Sequence, residues 1–521
     1  MTSIASSPTQ TSPRRSWAPL VIVCLGNFML LLDVSVVNVA LPRMSIDLHA
    51  SLSTLEWVVD AYALALAALL MLVGSVSDVV GRKRTYLTGL VVFTVASLTC
   101  GIAPSQTVLI AARAIQGAGA VGMFATTIAL INNTYDGFQR ATAFGIWGAT
   151  SGVAGAAGPI IGGLLTQALS WRWVFFVNLP VGVITVLAAL RALDHDGDGR
   201  QRSIDWLGGL AFTASAATLT YALVRADSIG WTATETVVLL ALAAAALAAF
   251  VVIELRSRAP LLDLSLLHAP FVGTLIAAAL YTPTAFAMLV YASLWLQTVL
   301  GLTPIAAGLV TLPMMMFGFV VSAAGGKHLD AAPARLVIAA GLALTAAGDL
   351  LEIGLGARSH WSDLIAGFVV IGVGIGALAP IIASAATAAV PAERAGMAAG
   401  AVNTARQVGL AIGIAVYGSV FTTRVLDGFH RLSHSASIAH RVTSGGAASV
   451  LAQTPSTHRP ALEAMIRSAV GSGLGHTFLI AGIVGLAGAA LSLTIMSRPA
   501  AHSLAPERPL TLHGQPQSSK P

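Results

Sequence analysis

Charged side chains are scarce in this sequence, and so is cysteine. Asp, Glu, Lys and Arg make up 10% of the chain, whereas a soluble globular protein carries about 25%. The two cysteines, Cys24 and Cys100, both fall in apolar runs, so neither a disulfide framework nor redox chemistry is predicted. The sequence has no GxxxxGK[ST] phosphate loop and no Ser/His/Asp or metal-ligand constellation. A soluble enzyme, ATP drive on this chain, a metal and a cofactor are therefore not expected.

Long apolar runs are what the sequence has in abundance. Hydrophobic residues make up 56% of the chain, and the mean hydropathy is +0.82. A run of about 20 apolar residues spans a bilayer as a helix, because a helix satisfies its own backbone groups in hydrocarbon. About fourteen such runs occur, and the first is full length with no cleavage site after it. The sequence therefore predicts an all-α integral membrane protein with about fourteen transmembrane helices.

The placement of Lys and Arg predicts the orientation, since positively charged loops stay in the cytoplasm. With the N-terminus inside, the short outer loops hold only Arg43, Arg172, Arg225 and Arg358. We therefore expect a multi-pass protein of the cell (inner or plasma) membrane with both termini in the cytoplasm. The net charge of +6 is then explained by anchoring to the inner leaflet, and a nucleic-acid partner is not expected.

A degenerate internal repeat divides the predicted helices into two sets. Four residues after the second helix share their offsets with four after the tenth: Gly74, Asp78, Gly81 and Lys83 against Gly326, Asp330, Pro333 and Arg335. This register predicts two six-helix repeats with two inserted central helices, which rock around a site near the bilayer midplane.

Five segments follow from this register. They are a cytoplasmic N-terminal tail, an N-terminal six-helix bundle, a linker with two extra helices, a C-terminal six-helix bundle and a cytoplasmic C-terminal tail. Their bounds are 1–16, 17–191, 192–268, 269–497 and 498–521, and the C-terminal bundle includes an external loop at 422–475.

Three motifs carry costly or unusual residues. GSVSDVVGRKRTYL, 74–87, combines turn-forming glycines with bases suited to headgroups, and is either a plain positive anchor or a site where Asp78 pairs. RAIQGAGA, 113–120, buries Arg113 at a cost of at least about 2.5 kcal/mol, so that Arg113 faces a partner, a wet cavity or, by snorkelling, the headgroups. GVAGAAGPIIGG, 152–163, gathers glycines on one helical face beside a proline, which favours close packing or a hinge.

In this order, the three motifs resemble the signature motifs of the major facilitator superfamily. LLDVSVVNVALP at 31–42, EWVVDAYAL at 56–64 and WRWVFFVNLPVG at 171–182 are similar to its fourteen-helix drug:proton antiporter branch, over about residues 15–425. The resemblance implies the facilitator fold and export of drugs or other lipophilic small organic molecules by alternating access, with a proton gradient as energy source. One departure is Val79, where the family has Arg after the loop aspartate.

The resemblance also implies residue roles, with Asp33 and Arg113 in proton coupling. Asp60 is a third candidate for proton coupling, because a rise of 1.5 Å per residue places all three residues in the outer half of the bilayer. Asp33 lies roughly 12 Å from the outer end of its helix. A structural Asp33–Arg113 pair that never titrates is the alternative. Gating candidates come from the 74–87 loop and the fifth helix, and they are Gly74, Asp78, Gly81, Arg82, Lys83, Gly155, Gly158, Pro159 and Gly162. Arg406 of the thirteenth helix is a further gating candidate, and the alternative is that its side chain snorkels to the headgroups at a helix end.

The predicted substrate pocket draws on several helices and comprises Asn38, Gln116, Tyr281, Tyr291, Gln297 and Met315. Met side chains adapt to varied apolar ligands, although lipid-facing packing is the commoner fate of a Met run. No acid lies in the core of the ninth and tenth helices, which favours neutral, zwitterionic or singly charged lipophiles. The expected partners are this substrate, protons and the bilayer, for a monomeric protein.

Two acidic stretches have plain interpretations. The linker DHDGDGRQRSID, 194–205, fits a calcium-loop pattern at Asp194, Asp196, Asp198, Gly199 and Asp205. Its twelfth residue is Asp rather than Glu and also opens a membrane helix, so a solvated linker without metal is predicted. Asp349 and Glu352 lie near the outer end of the eleventh helix, where headgroup level is expected.

Alternatives within transport remain open. One is a dedicated exporter of a single metabolite or natural product, and the other is a facilitator without proton coupling. A receptor or an enzyme has no supporting motif in the sequence.

Overall fold

The computed structural model describes residues 16–50, 52–135, 137–193, 204–257, 260–391, 394–430, 436–443 and 446–497. Every regular element in these residues is helical. The first nine α-helices are α1 (Ala18–Asp47), α2 (Leu52–Val80), α3 (Arg82–Gly101), α4 (Gln106–Thr134), α5 (Gly137–Ala168), α6 (Trp173–Phe176), α7 (Asn178–Ala192), α8 (Trp206–Ile229) and α9 (Thr234–Arg256).

The second part of the chain supplies nine more. They are α10 (Ala269–Thr282), α11 (Met288–Leu294), α12 (Pro304–Ala331), α13 (Ala334–Leu351), α14 (Leu364–Ala388), α15 (Ala395–His430), α16 (Ala436–Thr443), α17 (Ala447–Gln453) and α18 (Arg459–Met496). Short 3₁₀ turns occur at Leu264–Leu266 and Trp361–Asp363.

A long helix in the second part of the chain contains both α-helical and π-helical turns. Ala269–Val299 is continuous, but Pro283–Ala287 and Trp295–Val299 are π-helical on either side of α11. Pro283 has no N–H to give to the helical ladder, which accounts for a local change of winding. Such π-helical turns are uncommon and often occur at functional sites.

Eleven helical stretches in the described residues are long and apolar enough to cross a membrane. They include α1, α2, α4 and the stretch formed by α10 and α11, while α12 contains a shorter apolar stretch, Ala306–Ser322. The prediction of an all-helical, membrane-spanning chain is therefore confirmed for the described residues. The count of about fourteen and the internal repeat stay predictions.

Two sets of helices have their own apolar cores. Residues of α1–α5 and α7 bury Tyr86, Phe93 and Trp147 in one, which we call the first bundle. Residues of α11, α12 and α14–α18 bury Trp295 and Phe368 in the other, and a further core includes residues of α10 and α13, so we call α10–α18 the second bundle. Ala383 and Ala399 of the second bundle belong to the core of the first, so the bundles touch.

The two extra helices pack beside the first bundle. Phe212 of α8 meets Phe250 of α9 with ring centroids 5.2 Å apart, and Thr213 of α8 donates to the Ala68 carbonyl of α2 at 3.1 Å. Asp205 caps α8, its Oδ1 accepting from Gly208 N at 2.8 Å. The rest of the calcium-like stretch, 194–203, lies outside the described residues.

The predicted loop at 422–475 is largely helical where it is described. The helix α15 continues to His430, and α18 already begins at Arg459. Between them, Val442 of α16 and Val450 of α17 are buried in the core that also contains Phe429. This segment therefore covers one end of the second bundle instead of extending freely.

Candidate functional site

Asp33 lies at the centre of a fully buried polar cluster in the first bundle. Its Oδ2 accepts a hydrogen bond from Nη1 of Arg113, and both side chains are 0% exposed. Its Oδ1 accepts from Gln116 Nε2 and from Asn178 Nδ2, each at 2.9 Å. Three donors on two other helices therefore satisfy the carboxylate away from water, as a buried charge requires.

Arg113 has partners besides Asp33. Its Nε donates to the Val58 carbonyl of α2 at 2.8 Å, and Nη1 also donates to Gln116 Oε1 at 2.7 Å. The guanidinium carbon lies 4.4 Å from the ring centroid of Tyr62 and 5.9 Å from that of Phe175. Cation–π attraction grows as water is excluded, so the cation keeps favourable contacts when the carboxylate is neutralised.

The local sequence explains how four helices meet here. Arg113 and Gln116 are three residues apart and share one face of α4, and Asn178 opens α7. Ser97 of α3 joins them, because its Oγ accepts from Gln116 Nε2 at 2.6 Å and from Asn178 Nδ2 at 3.4 Å. We call Asp33, Ser97, Arg113, Gln116 and Asn178 the Asp33 cluster.

Sequence reasoning assigned part of this cluster. It named Asp33 and Arg113 for proton coupling but gave Gln116 to the substrate pocket, whereas Gln116 is fully buried as a donor to Asp33. Asn178 and Ser97 were missed. The available signal was an amide, Asn178, inside the apolar WRWVFFVNLPVG stretch.

The sequence also assigned roles in the first bundle to Asp60 and Asn38. Asp60 is half-buried on α2, two residues from Val58. The side chain of Asn38 lies outside the described residues. Their predicted roles in coupling and substrate contact stay predictions.

The glycine-rich fifth helix packs directly on the helix that carries Asp33. A Cβ added at Gly158 would overlap Oγ and Cβ of Ser35, two residues from Asp33. A Cβ at Gly162 would lie 3.1 Å from the Val36 carbonyl oxygen. The absence of side chains here lets α1 and α5 approach closely. The surroundings of Gly155 and Pro159 lie outside the described part of the chain.

The 74–87 motif joins the two bundles at one end, which we call the Asp78 end. Asp78 Oδ2 accepts from the Met397 backbone N at 2.9 Å, and Arg82 Nη2 lies 3.7 Å from Asp78 Oδ1. Gly74 adds a close approach, since a Cβ at Gly400 of α15 would lie 3.6 Å from the Gly74 Cα. The predicted gating loop therefore contacts the second bundle directly.

Two residues of the motif serve the first bundle itself. Gly81 has φ of 103° at the start of α3, a conformation that side chains rarely adopt. Lys83 is buried and donates to the carbonyls of Leu190 and Leu193 at 3.1 and 2.5 Å. A cation at these last carbonyls of α7 is stabilised by the helix dipole.

Replacing Asp78 by Ala is expected to weaken the contact at the Asp78 end. The Met397 N–H loses its acceptor, which at about 1 kcal/mol shifts the equilibrium toward an open end about fivefold. The measurement is the alkylation rate of a cysteine placed at Ala399, which is buried between the bundles. Both native cysteines are buried, so they contribute little background.

The matched control for this prediction is Asp363→Ala at the opposite end of the second bundle, where the aspartate is exposed. This control should leave the alkylation rate unchanged. Equal rates in wild type and Asp78→Ala would contradict a gating role for Asp78.

A second contact near the Asp78 end involves the linker after α9. Asp263 forms an ion pair with Arg394, which immediately precedes α15. Partial burial raises the pKa of Asp263, but hydrogen bonds from Ser265 and the Arg394 guanidinium outweigh it and hold the pKa below its ordinary value. The ion pair therefore persists at neutral pH.

The remaining pocket and gating candidates lie in the second bundle. The guanidinium carbon of Arg406 lies 5.7 Å from the Tyr281 ring centroid, so these two predicted residues meet. Tyr291 donates its hydroxyl to the Ile414 carbonyl of α15 at 2.6 Å. Gln297 Nε2 donates to Ser293 Oγ at 2.7 Å within the same helix, and Met315 is half-buried against the core.

Known proteins are similar to this chain over most of its length. The model of the Major Facilitator Superfamily matches residues 23–414 of the chain. The multidrug resistance protein Stp of Mycobacterium tuberculosis is 38% identical over 407 residues, covering 77% of this chain and 75% of Stp. The tetracenomycin C resistance and export protein of Streptomyces glaucescens is 32% identical, covering 94% of this chain and 93% of its own.

Two further similarities extend over nearly the whole chain. The multidrug efflux pump LfrA of Mycolicibacterium smegmatis is 32% identical over 505 residues, covering 94% of this chain and 98% of LfrA. Among solved structures, the human organic anion transporter MFSD10 matches with a TM-score of 0.57, covering 91% of this chain and all of that one. At 13% identity, this match concerns the fold alone.

Proposed function

Because this chain belongs to the Major Facilitator Superfamily, we propose that it is a proton-coupled secondary exporter of drugs or other lipophilic small organic molecules. The chain is a multi-pass membrane transporter and not an enzyme, and its relatives are drug and antibiotic exporters. Proton antiport, with the proton gradient as energy source and no cofactor, is the further step proposed here.

The buried ion pair between Asp33 and Arg113 is the observation that carries this proposal. A carboxylate in a membrane protein interior is costly, and such residues commonly mark proton relays. Protonation of Asp33 removes its charge and with it the attraction to Arg113, while the hydrogen bonds to Val58 and Gln116 and the Tyr62 ring still hold the cation. Arg113 thus retains partners whether Asp33 is charged or neutral.

The packing of α1 on α5 supports transmission of that change. Asp33 and Ser35 lie on the same helix, and Ser35 is in tight contact with Gly158. In the proposed cycle, a proton from outside neutralises Asp33, α1 shifts against α5, and the Asp78 end opens or closes. Substrate and proton occupy the transporter alternately, so that proton entry drives substrate exit.

The arrangement in the membrane belongs to the same proposal. We place the Asp78 end and both termini in the cytoplasm, with the chain as a monomer of about fourteen helices in two six-helix repeats. Tyr281, Tyr291, Gln297 and Met315 are proposed to contribute the second-bundle side of the substrate pocket. The expected partners remain the substrate, protons and lipid.

A dedicated exporter of one natural product is the second candidate. It is supported by the tetracenomycin C resistance and export protein, whose similarity covers 93% of that relative. Competition by a panel of unrelated lipophiles separates the two candidates, because a broad exporter is inhibited by many of them and a dedicated one by few.

Transport by the purified protein in liposomes tests the proton coupling. With an imposed pH gradient, a singly charged lipophilic dye should accumulate against its concentration gradient, and a protonophore should abolish the accumulation. A control with empty liposomes measures passive partitioning of the dye. Dye movement that only equilibrates, with or without the protonophore, would show a facilitator instead.

A further inference from the structure

A second buried carboxyl group lies in the second bundle, far in sequence from the Asp33 cluster. Asp349 of α13 is 0% exposed and Glu352, at the end of the same helix, is 1% exposed. The sequence predicts both at headgroup level, and the structure shows in addition that both are enclosed by protein. The helices α14 and α18 pack closely along α13, and α15 packs against α18. These side chains are therefore enclosed, although their helix ends two residues beyond Asp349.

Asp349 lacks the partners that Asp33 has. In the part of the chain that the structure describes, neither oxygen of its carboxyl group has a hydrogen-bond partner. The titratable groups that act on it there are Glu352 on its own helix and Tyr417 of α15, and no described Lys, Arg or His does so. A charged carboxylate without cation or donor is very costly in such a place, whereas the neutral acid is tolerated.

The neighbours of Asp349 come from several helices. Tyr417 is buried together with Ala287 and Ala481, which belong to the π-helical turn Pro283–Ala287 and to α18. Thr284 of that turn faces Tyr417 and also packs near Gly485 of α18. Asp349 therefore lies where α13, α15, α18 and an irregularly wound helix converge.

Glu352 is tightly enclosed on the side of α14. A Cβ added at Gly367 would overlap its Oε1, and in the described residues neither oxygen of the Glu352 carboxyl group has a hydrogen-bond partner. Asp363, near the start of α14, is the other acid that acts on Glu352. Two buried acids, Asp349 and Glu352, are thus followed along the chain by the exposed Asp363.

We propose that Asp349 is a second proton-binding site of the transporter, loaded and emptied through Glu352 when helix movement changes its access to water. The site takes a proton, because the acid is uncompensated when charged. The inference rests on the proposed proton-coupled export and adds a second proton to it. No covalent change is involved: the proton moves between the carboxyl groups and water.

Asp349→Asn is the variant that tests this site. Asn has the shape and neutrality of the protonated acid, so the variant should fold and reach the membrane like wild type. In liposomes with a pH dye and labelled substrate, the number of protons moved per substrate should fall by about half, because one of two carboxyl sites is lost. Glu463→Gln, at a half-exposed acid of α18 that pairs with Arg467, is the matched control and should leave this ratio unchanged. An unchanged ratio in Asp349→Asn would overturn the proposal.

Infrared difference spectroscopy provides a readout that does not depend on transport. Substrate-free wild type should show a protonated carboxyl C=O band that changes with pH, and Asp349→Asn should lack it while Glu463→Gln retains it. If this band is present but wild type moves no protons with substrate, the site stands and the proposed function fails. A band identical in wild type and Asp349→Asn, or one that depends on Na⁺ and not on pH, would overturn the proton site.

Discussion

Asp33→Asn is expected to reduce uphill, proton-driven export to the level of empty liposomes. The variant cannot change its charge, so a proton no longer competes with the Arg113 ion pair. Asn also places an amide N–H₂ where Asp33 accepts from Gln116, Asn178 and Arg113. The measurement is substrate accumulation under an imposed pH gradient, together with the amount of folded protein in the membrane.

Stability must be separated from coupling in this experiment. Removing one partner of a buried ion pair typically costs about 3–5 kcal/mol, because the other charge is left without compensation. Arg113 is fully buried and would be that charge. We therefore expect Asp33→Asn alone to lower the yield of folded protein as well as its activity.

The double variant Asp33→Asn/Arg113→Gln resolves this ambiguity. It removes both charges and leaves two neutral amides, so that no uncompensated charge is buried. Folded yield should recover to near that of wild type, and uphill export should stay absent. Asp33→Glu serves as the control that retains the charge. Proton-driven accumulation by the double variant would assign coupling to another group and leave Asp33–Arg113 as a structural pair.

The contact between Asp33 and Arg113 could be predicted from the sequence, because helix geometry determines how deep in the bilayer each residue lies. A rise of 1.5 Å per residue gives the level of each residue in its helix, and a buried charge at that level needs a partner. Rotation about each helix axis is set by packing and does not follow from the level. Asp60, predicted at the same level, is only half-buried on α2, whereas Asp33 and Arg113 are fully buried.

Two neutral members of the Asp33 cluster could not be predicted from the sequence. Ser97 and Asn178 belong to α3 and α7, and they reach Gln116 and Asp33 through the packing of four helices. Ser97 is an ordinary polar residue that a helix tolerates, so no local pattern marks it, and Asn178 is marked only as an amide in an apolar stretch. Asp349 is a related case, because its burial follows from which helices cover the end of α13 and not from its distance to that end.

Gly158→Ala is expected to lower export at least about tenfold while Gly163→Ala has no effect. An added Cβ at Gly158 overlaps Ser35, whose hydroxyl is held by hydrogen bonds to the Leu31 and Leu32 carbonyls at 3.0 Å each. Such overpacking costs typically 1–3 kcal/mol and forces α1 away from α5. At Gly163 the same Cβ has no atom within 4 Å in the described structure, so this variant controls for the general effect of a methyl group on the helix.

Relief of the overlap should restore function if the close approach of α1 and α5 is what export requires. Ser35→Gly removes both atoms that the new Cβ would strike, at a helix cost of about 1 kcal/mol. We therefore expect Gly158→Ala/Ser35→Gly to export several-fold better than Gly158→Ala, measured in the same liposome assay at equal amounts of folded protein. Full export by Gly158→Ala alone would show that the contact beside Asp33 is not required. Loss in Gly158→Ala without rescue would place the role of Gly158 in its backbone, as a hinge, and not in the space it leaves for Ser35.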